Sequence, residues 1–186
     1  MQTFREILAM ELAKRIKTAD LASRALVTGK LTFEVFGPDG RLKQKSVMCN
    51  MVVDQGDALI ADCLAMTPAR TKLDNTHAWI EVGTGYAATT KGITAVVTVT
   101  GVPRIMDATY PKLKGAWAAA YDNVITYKAT FTAGLLNVTG INEAALVNSA
   151  THSVGDCMAY AQVTPTVNVG LLDTLAVTWE ITILGA

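Results

Sequence analysis

The sequence predicts a mainly β fold, a jelly-roll-like or Greek-key β-sandwich, with an N-terminal amphipathic helix and one short helix near residues 54–65. Three observations predict it. Short runs of alternating apolar and polar residues recur along most of the chain, the period of a half-buried strand. Turn-forming residues separate these runs at short intervals, and the longer connections, about 101–123 and 135–156, favour a wound topology over a simple meander. Hydrophobic residues make up 51% of the 186 and charged residues only 17%, against about a quarter charged in ordinary soluble domains. That excess requires a well-filled interior or a surface covered by other subunits. The length is sufficient for one core without staples, and the chain divides into an arm, residues 1–24, and a single β domain, residues 25–186.

The arm comes first. In "QTFREILAMELAKRIKTADLA" the apolar residues Phe4, Ile7, Leu8, Met10, Leu12 and Ile16 recur at three- and four-residue steps, the spacing of one helix face. Thr3 with Glu6 forms a candidate capping box, and Glu11 stands one turn before Arg15. Phe4, Ile7, Leu8, Leu12 and Ile16 are the candidate interface residues, packed either on their own domain or on a neighbour. Lys14, Arg15 and Lys17 follow the apolar residues instead of preceding them, so no secretory leader is expected, and no window is long enough to span a bilayer.

The body follows as strands. In "KLTFEVF" Leu31, Phe33 and Val35 alternate with Lys30, Thr32 and Glu34. "GPDG" at 37–40 is a turn, with proline presetting one dihedral and Asp-Gly supplying the positive one. A return strand runs from Leu42 to Met48. "VVDQGDALIADCLA" is predicted helical, with Asp54 as N-cap and Leu59, Ile60, Cys63 and Leu64 on one side. Further strands are expected at about 78–83, 93–101, 124–132, 157–164 and 174–184. In the last of these, Val177, Trp179, Ile181 and Ile183 face one way, making Trp179 a core anchor.

The segment "WIEVGTGYAATTKG" invites a nucleotide-binding reading, which the residues do not support. Gly83 and Gly85 give GxG, but position 88 is alanine and a β-branched run follows where a helix should begin. "KG" at 91–92 is the reverse of a Walker loop. Gly83 and Gly85 are therefore structural, letting the chain turn sharply as it leaves a strand.

Catalytic and ligand-binding constellations fare similarly. His77 and His152 lack the clustered partners of a metal site. Asp54, Asp57 and Asp62 read as a solvated helix face. Ser149 and Ser153 flank His152 without a nucleophile elbow. Cys49, Cys63 and Cys157, odd in number and without a CxxC pair, read as small buried apolar side chains rather than a disulfide or zinc framework. Trp79, Trp117 and Trp179 read as core or interface residues. No catalytic residue, cofactor or metal is expected. Sixteen basic and sixteen acidic residues balance, so neither nucleic acid nor a membrane is an expected partner. "NVT" at Asn137 matches a glycosylation acceptor, which has meaning only in a secreted chain.

Several pieces in order resemble a known pattern. "NMVVDQGDALIADCL" at 50–64, "WIEVGTGYAATT" at 79–90, "VITYKATFTAGLLNVTGINEAALVNSA" at 124–150 and "LAVTWEITI" at 175–183 are similar to segments of small structural proteins of tailed bacteriophages. Position 145 carries Ala where that pattern has Gly. The resemblance implies a non-enzymatic virion component. It also makes Glu143 a structural carboxylate accepting backbone N–H bonds at a turn. Within that class a short chain with one body and an amphipathic arm suits a capsid decoration or cement protein. It would sit on the outer capsid surface as a homo-oligomer, its partners the major capsid protein and copies of itself. A tail-fibre or collar adaptor on the phage tail is the alternative. The sequence ends just after a strand, without a fibre extension, which favours the capsid. A carbohydrate-binding sandwich ranks lowest, because most of the twelve aromatic residues fall on apolar faces.

Overall fold

A computed structural model describes residues 27–65, 68–115 and 123–183. The predicted arm, with Phe4, Ile7, Leu8, Leu12 and Ile16, and Trp117 lie outside the described residues. The body is mainly β with one short helix. In chain order its elements are β1 (Thr28–Phe36), β2 (Leu42–Val52), α1 (Asp54–Cys63), β3 (Trp79–Gly83), β4 (Arg104–Ile105), β5 (Lys112–Leu113), β6 (Val124–Phe131), β7 (Val138–Val147), β8 (Cys157–Val169) and β9 (Thr174–Thr182).

The strands form one antiparallel sheet in the order β4-β3-β7-β8-β2-β1-β9-β6-β5, curved into a half-barrel. The pairing is nested: the first strand lies beside the last, β2 beside β8, and β3 beside β7. The two ends of the sheet, β4 and β5, are consecutive in the chain. The segment that carries them also ties the edges together. Arg104 Nε donates to Thr130 O at 2.8 Å and Asp107 N to Lys128 O at 2.8 Å. Asp107 then accepts from Thr130 N and Thr130 Oγ1 at 2.9 and 2.7 Å. Edge strands left open invite pairing with other chains; here one stretch of chain covers both.

The alternation in β1 does what its period predicts. Leu31, Phe33 and Val35 are buried while Thr32 and Glu34 are half-exposed. The turn at 37–40 closes with Gly40 N donating to Gly37 O at 2.9 Å, and Gly40 takes φ 75°. β9 pairs along its length with β1 and β6, setting Trp179 between Leu31 and Tyr127. Trp179 is fully buried and joins Phe33, Ile80, Phe131 and Ile141 in the main core.

Several sequence expectations are corrected. Residues 93–101 are not a strand; a single bridge, Val99 to Gly83, is their β pairing. Residues 135–156, expected as a connection, contain β7. Its alternation is hidden because its second half is buried on both faces. β8 continues past its expected end through Pro165. That proline lies where the β7 ladder is interrupted between Gln162 and Val167, a position that needs no donor. At α1 the N-cap is Val53, without a side-chain cap bond, and Asp54 is the first helical residue. Gly56 and Leu59 are its buried residues, whereas Cys63 and Leu64 are exposed. Of the cysteines, Cys157 alone is buried; Cys49 and Cys63 are exposed and all three are free thiols.

Candidate functional site

β3 and β7 owe their two buried faces to the glycine segment. One face of the sheet, with Ile80, Val82, Ala144 and Leu146, belongs to the main core. The other, with Ala145, Val147, Cys157 and Tyr160, is roofed by residues 84–100, which contribute Val96 and, at the margin, Tyr86, Ile93 and Val99. Ala145 is fully buried in this second core. The roof is irregular backbone over an apolar floor, so its N–H groups need acceptors from below.

Glu143 supplies them. Register places it opposite Gly83 on β3, and its side chain is fully buried. Oε1 accepts from Gly85 N at 2.8 Å and from Thr98 N at 2.9 Å. Oε2 accepts from Val97 N at 2.8 Å and from Tyr160 Oη at 2.7 Å. Asn142 Oδ1 adds a bond from Tyr86 N at 3.1 Å. Backbone amides that elsewhere would cradle a phosphate are here turned inward onto the protein's own carboxylate. Burial, followed by the bond to Glu143, pushes the Tyr160 hydroxyl well above its ordinary range, so it remains a donor. Tyr86 stacks on Tyr160 with ring centres 6.3 Å apart.

The glycines are required for a reason other than the sharp turn expected from sequence. Neither Gly83 nor Gly85 has a positive φ. A Cβ at Gly83 would lie 2.5 Å from Glu143 Oε1 and 2.5 Å from Thr98 O, and one at Gly85 would strike Thr98. Close approach of backbone to the anchor excludes a side chain at both positions.

A second carboxylate lies under the same roof. Glu81 is 1% exposed. Its Oε2 receives Val96 N at 3.4 Å and lies 3.3 Å from His152 Nδ1, while Oε1 has no partner among the described residues. Burial raises its carboxyl above the usual carboxylate range, and the His152 contact opposes that rise. Cys157 is pushed up to about 12, first by burial and then by the charge of Glu81, so it holds a protonated thiol within the core. α1 is joined to the same region by Gln55 Oε1, which accepts from Cys157 N at 2.8 Å.

The remaining sequence candidates are dispersed. Trp179 lies in the main core, and its indole N–H has no partner among the described residues. His77 pairs with Asp74 and His152 with Glu81. Among the described residues no group of three or more His, Cys, Asp or Glu could hold a metal ion. The three helix aspartates divide their work. Asp57 pairs with Lys91 at 2.6 Å, and Asp62 accepts from Arg70 N and Ala69 N. Asp54 donates its backbone N–H to Lys91 O at 2.9 Å. Sequence reasoning missed Tyr160 and Glu81. Tyr160 sits in an apolar strand with no polar flag, and Glu81 reads as the outward residue of an alternating strand. No family model, curated protein or solved structure matches the chain. No described helix is long and apolar enough to cross a membrane.

Proposed function

We propose that the chain is a non-enzymatic structural protein of a tailed-bacteriophage virion, a decoration or cement subunit that binds the outer capsid shell and bridges capsomers. The observation that carries this reading is the meeting of the resembling segments. Gly83 and Gly85 from the second piece and Glu143 from the third form one anchor. Gln55 from the first piece bonds Cys157 beside it. Pieces scattered through the sequence thus build a single device, as a shared structural motif should. The device holds backbone and offers its donors to an internal carboxylate, a framework task. The nested pairing, first strand to last and inward, supports the finer description of a jelly-roll-like winding, an architecture common to capsid domains.

Cement action needs contact area. A standard interface buries about 1,600 Å², and at about 25 cal/mol per Å² of its apolar part the gross gain reaches tens of kcal/mol before ordering costs. The apolar composition suits such burial, as do the exposed Val102, Leu135, Leu171 and Leu172 at turns. Repetition over many copies multiplies a modest contact.

The test is imaging. Labelled full-length chain is added to particles assembled without it, and the label is located by electron microscopy. Label distributed over the shell is the expected result. Label confined to the tail replaces the capsid assignment with the collar or fibre one, and no binding to particles overturns both.

A further inference from the structure

Residues 149–155, in the connection of β7 to β8, form a turn on a closed base. Asn148 N donates to Asp156 O at 3.1 Å, Asp156 N donates to Asn148 Oδ1 at 2.6 Å, and Arg70 pairs with Asp156. Above that base the turn bonds to itself: Thr151 N donates to Ser149 Oγ and Val154 N to Thr151 O, both at 3.1 Å. Among the described residues one polar contact ties this turn to the roofed core, His152 Nδ1 to Glu81 Oε2 at 3.3 Å. The two partners differ in their access to water: the Glu81 side chain is 1% exposed and that of His152 30%. Glu81 also holds the roof, accepting from Val96 N at 3.4 Å. The next two amides, Val97 N and Thr98 N, donate to Glu143 at 2.8 and 2.9 Å. Adjacent residues of the roof therefore hang from different carboxylates.

We infer that Glu81 and His152 form a proton-operated latch: a proton shared by the pair seats the 149–155 turn against the roof, and its loss releases the turn and the Val96 end of the roof. With that proton the pair is neutral overall, whichever partner carries it. Without it, a carboxylate with one unpaired oxygen sits in an apolar enclosure, where an uncompensated charge is costly. A second carboxylate, Glu143, acts against it, as like charges do. The titratable groups facing Glu81 are Glu143 from β7, Cys157 from β8, which stays a neutral thiol, and His152. Charged groups on the neighbouring segments are engaged elsewhere. Lys91 of the roof pairs with Asp57, Arg104 of β4 donates to Thr130 O, and Arg70 pairs with Asp156. Water is the remaining source of relief, and the turn with Val96 is the cover that moves to admit it. The half-exposed imidazole gives the proton its path to solvent, and histidine changes charge between about pH 5 and 8. Burial raises the Glu81 carboxyl, so the closed form holds the proton more tightly than the open one, and rising pH opens the latch. The latch needs no partner and stands apart from the capsid reading.

The test is nuclear magnetic resonance on the full-length chain from about pH 5 to about pH 8. Three signals are followed: the His152 ring, the Glu81 carboxyl carbon, and the amide protection of Val96, Val97 and Thr98, corrected for the intrinsic pH dependence of exchange. The ring and the carboxyl are expected to respond over one common range. Across it the Val96 amide loses about tenfold or more in protection, while Val97 and Thr98 keep theirs. Glu81→Gln keeps the shape and removes the charge. It is expected to abolish the pH dependence at Val96 and to displace the His152 response. If all three amides exchange in step at every pH, the roof moves as one piece and the inference falls. It falls as well if His152 responds identically in Glu81→Gln and in the parent. Where that variant does not fold, the contrast between Val96 and Val97 in the parent decides alone.

Discussion

Glu143 reverses the usual use of a glycine-rich turn. In a phosphate loop, free N–H groups face a ligand; here Gly85, Val97 and Thr98 face a carboxylate supplied by the adjacent strand. A buried ionised group is costly unless its lone pairs are satisfied, and four donors satisfy this one. Glu143→Gln keeps the shape but turns an NH₂ toward two of those donors. We expect a loss of about 3 kcal/mol, the cost of leaving two buried donors unmet, measured by urea denaturation. Amide exchange at Gly85, Val97 and Thr98 should accelerate more than elsewhere. A loss below about 1 kcal/mol would show that the roof holds by its apolar contacts alone. Glu81, by contrast, is a carboxylate whose folded-state pKa is raised from 4.5 by burial. The folded chain therefore binds its proton more tightly than the unfolded chain. Stability from this group is full below the unfolded pKa and is lost as pH rises through the folded one. Glu81→Gln should gain on the parent as pH rises from about 4 toward 8 in parallel denaturation curves; a constant difference would mean that His152 fully offsets the burial. Glu143 was singled out as an acceptor at a turn, but it lies within β7 and reaches the irregular roof from there; Gly83 and Gly85 were singled out by composition. The reason for those glycines was not legible, because close approach is a property of two segments and not of either one.

Elements whose two faces differ were legible; of the two strands buried on both faces under the roof, β3 was expected and β7 was not. β1 and β9 alternate because the main core lies on one side and more open surface on the other. β7 loses its period where the roof covers it. The β-branched run at 93–101 looked like a strand, yet the amides of Val97 and Thr98 go to Glu143 instead of a neighbouring ladder. The short helix was found, but its packing was misjudged, because the contact depends on a missing side chain. Gly56 is buried in α1, and a Cβ there would run into the backbone carbonyl of Met158 on β8. Intrinsic propensity favours Ala over Gly in a helix by about 1 kcal/mol. The contact should reverse that sign, so Gly56→Ala is expected to destabilise by about 1–3 kcal/mol, the range for overpacking. Gly92→Ala is the control. A Cβ there has open space and no positive φ opposes it, so it should fall within about 0.5 kcal/mol of the parent. Thermal or urea unfolding of both variants checks the contrast, and a stabilised Gly56→Ala would mean that α1 shifts freely on β8.

At the scale of the whole molecule, the mainly β character followed from local alternation, but the strand order did not. Which strands become neighbours depends on contacts far apart in sequence, and on β4 and β5, each two residues long and carrying no periodic signal. Those two short strands nevertheless finish the sheet. Because they are consecutive, the curl of the half-barrel brings the β3 side and the β6 side to one stretch of chain. Asp107 is the clasp, holding Thr130 through both carboxylate oxygens. Removing it should open the edge of β6 without dismantling the centre, where β1 is paired along both sides. Asp107→Ala is therefore expected to cost about 1.5–3 kcal/mol, the range for hydrogen bonds to a charged group. Hydrogen exchange separates a local clasp from a general weakening. If the seam is a unit of its own, the Thr130 amide exchanges faster by a large factor, whereas amides of β1 and β9 accelerate only as far as the global loss requires. If all of them accelerate together, the edges are held by the curvature of the sheet itself, and Asp107 contributes to stability without closing anything.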